Sequence, residues 1–368
     1  MKKLGIIARK LEEDSIFGTL TYYLEDMVRF STHLEVATVV FSPFDWHPES
    51  ATIRSFTFDG TKWFEEQSPI PKLIYNRFSP LTPSEWELYQ KMVSHLEACG
   101  HEFCNPPQLE SVLKDKRRFQ TFLEQNKLPV IPLHNDYSLE TILGTLEVFQ
   151  TIYVKPFAGS GGHGISLLSL EGDQLTIQSE VGKRLVAPKD LSQELMAMFP
   201  PDEYILQPMA RIGRYRGACY DIRSMIQNNG LNQYEISAIS VRLGQKGRWV
   251  SNLNSGGNGL AIEELEDHFK SVFNTSLHEV VREVKRLSRM TAKLLTAAYG
   301  DFAEIALDML LTQDRGLIIL EGNSKPSRWV FNTIAEQYES GTVLHSKYRA
   351  LREKTVVYPM LFASNKLR

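Results

Sequence analysis

Long apolar runs are the first thing this 368-residue chain lacks. Its apolar stretches extend only a few residues, against the roughly 18 that mark a membrane helix, so no membrane span is expected. The N-terminal stretch Leu4–Ala8 is broken by Arg9 and does not read as a signal-peptide core, which leaves the cytoplasm as the expected location. Cysteine is scarce: three thiols, Cys99, Cys104 and Cys219, cannot form a disulfide framework and suit a reducing compartment. Cys99, His101 and Cys104 lie close together, but a structural zinc site takes four ligands, usually as two pairs, and no second pair follows. A charge excess is missing too. The 41 Lys and Arg against 44 Asp and Glu leave −3, which argues against a dedicated nucleic-acid surface. Internal repeats and low-complexity tracts are also absent.

What is present reads as α/β, becoming α+β toward the C-terminus, with two or three domains at roughly 100–200 residues each. Leu4–Ala8, Leu34–Phe41 and Leu73–Tyr75 have the composition of buried strands, and Thr19–Phe30 has helical spacing. Ile53–Phe58 and Thr61–Phe64 flank Asp59-Gly60, which predicts a two-residue hairpin turn. Thr82 and Pro83 open a helix that runs to Ala98 before Gly100. The alternation implies a mostly parallel sheet. Asn105-Pro106-Pro107 marks a boundary, and Asp115–Asn126 is expected as one amphipathic helix. Further strands are expected at Ile152–Lys155, Gln174–Ser179, Tyr204–Gln207 and Tyr234–Arg242, then a long helix at Leu277–Ala298. Its apolar residues, Leu277 to Leu295 and including Met290, predict a core-facing stripe. Phe302–Leu311 and Leu317–Leu320 read as a strand pair.

Three groups of residues suggest chemistry. The first is the run Gly159-Ser160-Gly161-Gly162-His163-Gly164, which follows the strand carrying Lys155. Glycine amides can approach an oxyanion, and a lysine beside them adds charge, so the pair fits a phosphate. The run matches neither the Walker nor the dinucleotide pattern. A plain turn and a snorkelling surface lysine are the alternatives. Lys116, within Lys114–Arg118, reads either as a phosphate contact or as part of a solvated helix face.

The second group is Asp308, Glu321 and Asn323, at what would be one end of two antiparallel strands. Such oxygen donors suit Mg²⁺, and a salt-bridged pair beside a turn asparagine is the alternative. The third is Asp221, Arg223 and Arg242. Alternation puts Asp221 and Arg223 on one strand face, where arginines could stabilise developing phosphate charge.

Taken in order, these residues resemble the ATP-grasp superfamily. The resemblance covers about Gln108 to Phe331 and looks closest to the YheC/YheD family, described as endospore-coat-associated; glutathione synthetase and the ribosomal-protein glutamate ligases are more distantly similar. It implies a small N-terminal α/β domain (1–107), then an ATP-grasp fold of two subdomains clasping ATP (108–206 and 207–368). It implies that Lys116, Lys155, Gly159, Ser160, Gly161, Gly162, Gln207, Pro208, Met209 and Asp221 hold ATP. By the same resemblance Arg223, Arg242 and Asn254 face the γ-phosphate and acyl acceptor, and Asp308, Glu321 and Asn323 hold Mg²⁺ or Mn²⁺. Gln207 stands where many members have glutamate.

The expected activity is a carboxylate–amine or carboxylate–thiol ligase working through an acyl phosphate. Its partners would be small-molecule or peptide acids and amines, with no nucleic acid, and its location the cytoplasm or the spore coat. A coat-associated structural or nucleotide-binding protein without turnover is the alternative. Substrate specificity is expected in the N-terminal domain, in the Arg211–Tyr220 segment and in the segment after Asn323.

Overall fold

Short apolar strands in the first hundred residues assemble a six-stranded sheet in this computed structural model. The structure describes residues 2–11, 15–134, 136, 138–157, 164–171, 174–179, 182–187, 191–200, 203–247, 251 and 256–368. Strands β1 (Lys2–Ile7), β2 (Val36–Phe41), β3 (Ile53–Phe58), β4 (Trp63–Ser68), β5 (Leu73–Asn76) and β6 (Glu102–Phe103) take the order β4-β3-β2-β1-β5-β6. The inner β2-β1-β5-β6 portion is parallel, whereas β3 and β4 are antiparallel additions at one edge. Helix α1 (Thr21–His33) packs Leu24 and Met27 on the Leu4/Ile6 face, and α2 (Pro83–Ala98) packs Met92 and Val93 on the Ile7 face. Thr82 caps α2 by accepting from Glu85 N–H, as its sequence predicts.

The expected two-residue hairpin is instead a loop of residues 59–62, because Phe58 pairs with Trp63. Asp59 Oδ1 accepts from the N–H groups of Thr61 and Lys62, so an Asx turn closes it.

Next comes α3 (Pro107–Lys114), which sequence spacing did not suggest, and α4 (Lys116–Gln125). Asp115 lies between them in an extended conformation and caps α4 through Arg117 N–H and Arg118 N–H. The helix expected from Asp115 therefore starts one residue later, with Asp115 as its cap. After α5 (Leu139–Phe149), a second, antiparallel sheet forms from β7 (Thr151–Pro156), β8 (Ser166–Glu171), β9 (Gln174–Ser179), β10 (Gly182–Val186) and, beyond α6 (Leu191–Met198), β11 (Tyr204–Pro208). Its order is β10-β9-β8-β7-β11.

The third sheet is antiparallel in the order β14-β13-β12-β15-β16. Its strands are β12 (Tyr220–Asn228), β13 (Tyr234–Leu243), β14 (Asn258–Leu260), β15 (Glu304–Thr312) and β16 (Gly316–Asn323). Helices α7 (Glu266–Phe273) and α8 (Leu277–Tyr299) cover one face. Val280, Val284, Leu287 and Leu295 of α8 are buried in that core. Met290 leaves the expected stripe: it is 39 % exposed and lies under the Arg286 guanidinium. Helices α9 (Trp329–Ala335) and α10 (Val343–Lys366) close the chain. Tyr348 of α10 enters the core between α9 and the third sheet, while Val356, Met360 and Phe362 join the core of the first sheet. Among the described residues, no helix is long and apolar enough to cross a membrane.

Candidate active site

Strand alternation and register place the charged residues of the third sheet opposite one another. Arg223 of β12 pairs with Asp308 of β15, Asp221 of β12 with Arg242 of β13, and Asp308 with Glu321 of β16. Arg223 donates from Nε and Nη2 to Asp308 at 2.7 and 2.8 Å, and Arg242 donates from Nε and Nη2 to Asp221 at 2.7 and 2.9 Å. Arg242 Nη2 also lies 2.8 Å from Asp308 Oδ2, so the two forks share one lattice. Ser251 Oγ donates to Asp221. All four charged side chains are buried. Burial pushes the Asp308 carboxyl up, but Arg223 and Arg242 outweigh it and hold it well below the carboxylate range. For Asp221, burial outweighs the attraction of Arg242 and the pKa is raised.

Glu321 and Asn323 follow from the β15–β16 register, in which Asp308 faces Glu321 and Ala306 faces Asn323, with a shift after Asp308. This is the convergence expected of antiparallel neighbours. Gly322 between them sets the approach of α3 and α4. A Cβ there would lie 2.5 Å from Leu113 Cδ2 and 3.1 Å from the Phe119 ring. The missing side chain lets both helices sit on β16 and brings Lys116 near Glu321. Burial and then the charge of Asp308 push the Glu321 carboxyl up, while Lys116 and Arg242 pull it down.

This donor set can be tested for a hard cation. Glu321 and Asn323 are partly exposed, and two neighbouring carboxylates repel each other, a strain that a divalent ion relieves. Asp308 differs. Its Oδ1 takes Arg223 Nε, and its Oδ2 takes Arg223 Nη2, Arg242 Nη2 and Asn323 Nδ2 at 2.7–2.9 Å. Glu321 and Asn323 thus offer oxygen donors of the kind that would suit Mg²⁺, whereas Asp308 would join them only if a guanidinium left it. Among the described residues no group of three or more His, Cys, Asp or Glu has metal-binding geometry, and the nearby Cys99, His101 and Cys104 do not form one.

On the second sheet, β7 pairs with β11 so that Lys155 and Gln207 lie diagonally on one face. Lys155 Nζ donates to Gln207 Oε1 at 2.6 Å, and both side chains are buried. This excludes the snorkelling surface lysine. Burial and the charge of Lys116 bring the Lys155 ammonium down to about 7, against an opposing pull from Glu321. Lys116 N–H donates to Phe157 O at 2.9 Å and its Nζ to Pro156 O at 3.2 Å, tying the start of α4 to the end of β7. Lys116 is thus half-buried at a junction, not on a solvated face. Pro208 and Met209 line a separate cavity of about 610 Å³, away from Glu321. Gly159, Ser160, Gly161, Gly162 and Asn254 lie outside the described residues.

One buried cluster was not found from the sequence. Glu304, at the start of β15, accepts from Tyr75 Oη at 2.5 Å, Arg77 Nη1 at 3.1 Å, Arg328 Nη1 at 2.9 Å and Gln227 Nε2 at 2.8 Å. Arg328 Nη2 bonds the other oxygen of the carboxylate. The available signal was the i, i+4 alternation that puts Glu304 on the same strand face as Asp308. Arg223, Arg242, Glu321 and Asn323 all border a cavity of about 780 Å³ that also reaches Arg77 and Arg328. Glu321 and Asn323 also border a cavity of about 440 Å³ containing Lys116.

The chain is similar to known proteins in both sequence and fold. The family profile described as YheC/D like ATP-grasp matches residues 105–350. The chain is 24 % identical over 318 residues to the endospore coat-associated protein YheC of Bacillus subtilis (strain 168), covering 83 % of this chain and 85 % of that one. It is 21 % identical over 303 residues to the endospore coat-associated protein YheD of the same strain, covering 77 % of this chain but only 63 % of YheD. Among solved structures, D-alanyl-alanine synthetase A from Vibrio cholerae O1 biovar eltor str. N16961 superposes with a TM-score of 0.58 at 11 % identity, covering 96 % and 98 % of the two chains.

Proposed function

The chain belongs to the YheC/D-like ATP-grasp family, and from that premise we propose that it is an ATP- and Mg²⁺-dependent carboxylate–amine ligase acting through an acyl phosphate. Residues 1–107 then form the leading domain, 108–206 the small ATP-grasp subdomain and 207–368 the large one. The observation that carries the reading is that Lys116 and Glu321 line one cavity while Glu321 adjoins the Asp308–Arg223–Arg242 lattice: cations for phosphate near oxygen donors for a hard ion. Lys155 and Gln207 extend this set on the second sheet.

In the first step a carboxylate oxygen of the acid attacks the γ-phosphorus of ATP, the bond to the β–γ bridging oxygen breaks, and ADP departs. Lys116 and Lys155 neutralise the phosphates. Arg223, held in place by Asp308, offers its remaining N–H groups to the developing charge with little reorganisation, and Arg242, held by Asp221 and Asp308, adds its positive charge. Mg²⁺, held by Glu321 and Asn323 with Asp308 in reserve, would supply charge neutralisation on the phosphates. In the second step an amine nitrogen attacks the acyl carbon, the C–O bond breaks, phosphate leaves, and the amine proton passes to solvent. No side-chain nucleophile is needed, since positioning and charge carry the reaction.

The names of the two Bacillus relatives support a place at the endospore coat. ADP release in the presence of candidate acids, with hydroxylamine trapping of the acyl phosphate as a hydroxamate, tests the chemistry. The expected result is ATP-dependent hydroxamate that is lost in Glu321→Gln. ADP release that persists unchanged in that variant would refute the assignment of the site.

A further inference from the structure

The roughly 780 Å³ cavity has the size of a small-molecule site, and more cations than acids line it. Seven Lys or Arg side chains border it against three acids. The charges fall into three zones. At the buried end, Arg223 and Arg242 are matched by Asp221 and Asp308, and Glu321 beside them is the further acid that the proposed Mg²⁺ would neutralise. In the middle, Arg77 and Arg328 share the one carboxylate of Glu304, leaving one positive charge uncompensated among buried groups. Tyr75 donates to the same carboxylate and adds no negative charge. Lys325 in this zone is matched by Glu110 at 3.1 Å.

At the outer rim, α10 presents Arg349 and, three residues on, Arg352. Arg352 is occupied by Asp26 of α1, whereas Arg349 is exposed and has no hydrogen bond or ion pair among the described residues. Glu336 is the acid that opposes them there. Two large aromatic side chains share this rim, Tyr22 at 72 % and Trp329 at 55 % exposure. Aromatic surface of this kind facing a cavity marks a contact surface.

We propose that the acid activated in this cavity is an extended dianion, whose reacting carboxylate meets Arg223 and Arg242 while a second anionic group lies toward Arg77, Arg328 and Arg349. This rests on the ligase reading and narrows its substrate class. An uncompensated buried charge attracts an anion strongly because low dielectric screens it little. The unpaired Arg349 extends the attraction to the mouth, where Tyr22 and Trp329 cover the chain between the two charges. The second anion is a carboxylate or a phosphate, and both share this recognition.

Calorimetric titration of the full chain, saturated with Mg²⁺ and a non-hydrolysable ATP analogue, tests this. The probes are the α,ω-dicarboxylates from succinate to suberate, ω-phosphonocarboxylates of the same lengths, and the matching monocarboxylates, all at constant ionic strength. At least one dianion is expected to bind ten-fold or more tightly than its monoanion, and the tighter series names the second group. Arg349→Gln should reduce that preference at least three-fold and Arg349→Lys should keep most of it. Nucleotide binding without any dianion preference, or a preference untouched in Arg349→Gln, would overturn the proposal while leaving the ligase reading intact. Failure of the analogue itself to bind would instead refute the ligase reading.

Discussion

At the scale of single residues, Lys155 is the most informative side chain. Its ammonium is buried against Gln207 and titrates near 7, well below an ordinary lysine. The unfolded chain therefore binds more protons than the folded one between about 7 and the ordinary value of 10.5, so the Lys155 contribution to stability grows as pH rises through that window. Phosphates brought beside it favour the charged form, and Mg-ATP binding at pH 8 should take up protons. Calorimetry in two buffers of different ionisation enthalpy measures this uptake, and equal heats would contradict it. Lys155→Met should leave stability unchanged or higher while weakening nucleotide binding ten-fold or more, about 1.4 kcal/mol. Asp308 behaves oppositely. Asp308→Asn leaves the buried Arg223 guanidinium without a carboxylate while Arg242 keeps Asp221, and a cost of about 3–5 kcal/mol is expected in urea unfolding.

Chemistry at this scale was readable where strand alternation exposed it. Asp308 and Glu321 stood out as carboxylates on apolar strands, and Asp221 and Arg223 because alternation put them on one strand face. Glu304 was missed because its partners, Arg77 and Arg328, are hundreds of positions or a whole loop away.

At the scale of elements, the β15–β16 pair carries the site. Its register puts Asp308 beside Glu321, and Gly322 between the two donors on β16 admits α3 and α4. Gly322→Ala places a Cβ 2.5 Å from Leu113 Cδ2 and 3.1 Å from the Phe119 ring, and relief requires both buried side chains to shift. A loss of about 1–3 kcal/mol is expected by denaturant unfolding, together with weaker nucleotide binding as Lys116 shifts. No loss of either would show that the packing tolerates the methyl.

Helices with one apolar stripe, α2 and α8, were legible before the structure. Helix α10 was not, because its buried residues divide between two cores and one of them is Pro359. The α3–α4 break was likewise hidden, since Asp115 reads equally as a helix residue and as a cap. The Asp59-Gly60 turn failed for a third reason: the Asx bonds of Asp59 favoured a longer loop than the dipeptide alone suggests.

At the scale of the whole molecule, Glu304 joins parts distant in sequence. Arg77 follows β5 of the first sheet, Glu304 opens β15 of the third, and Arg328 precedes α9, so one carboxylate ties the leading sheet to the segment after Asn323. Burial pushes this carboxyl up, but Arg328 and Arg77 overcome that and hold it below its ordinary value of 4.5. A depressed carboxylate contributes stability that is present above about 4.5 and lost as pH falls through the folded value. Glu304→Gln should therefore flatten the acid limb of a stability-against-pH curve, measured by urea titration. An unchanged limb would show that other carboxylates control it.

The almost balanced net charge of the chain conceals these local concentrations of opposite sign. Glu321 and Lys116, beside the buried arginine lattice, are proposed to form a Mg-nucleotide site. Equilibrium titration with a non-hydrolysable ATP analogue, with and without Mg²⁺, tests it most directly on the wild-type chain and on Glu321→Gln. Mg²⁺-dependent binding that weakens at least ten-fold in the variant is expected. Binding that ignores both the metal and the substitution would contradict it.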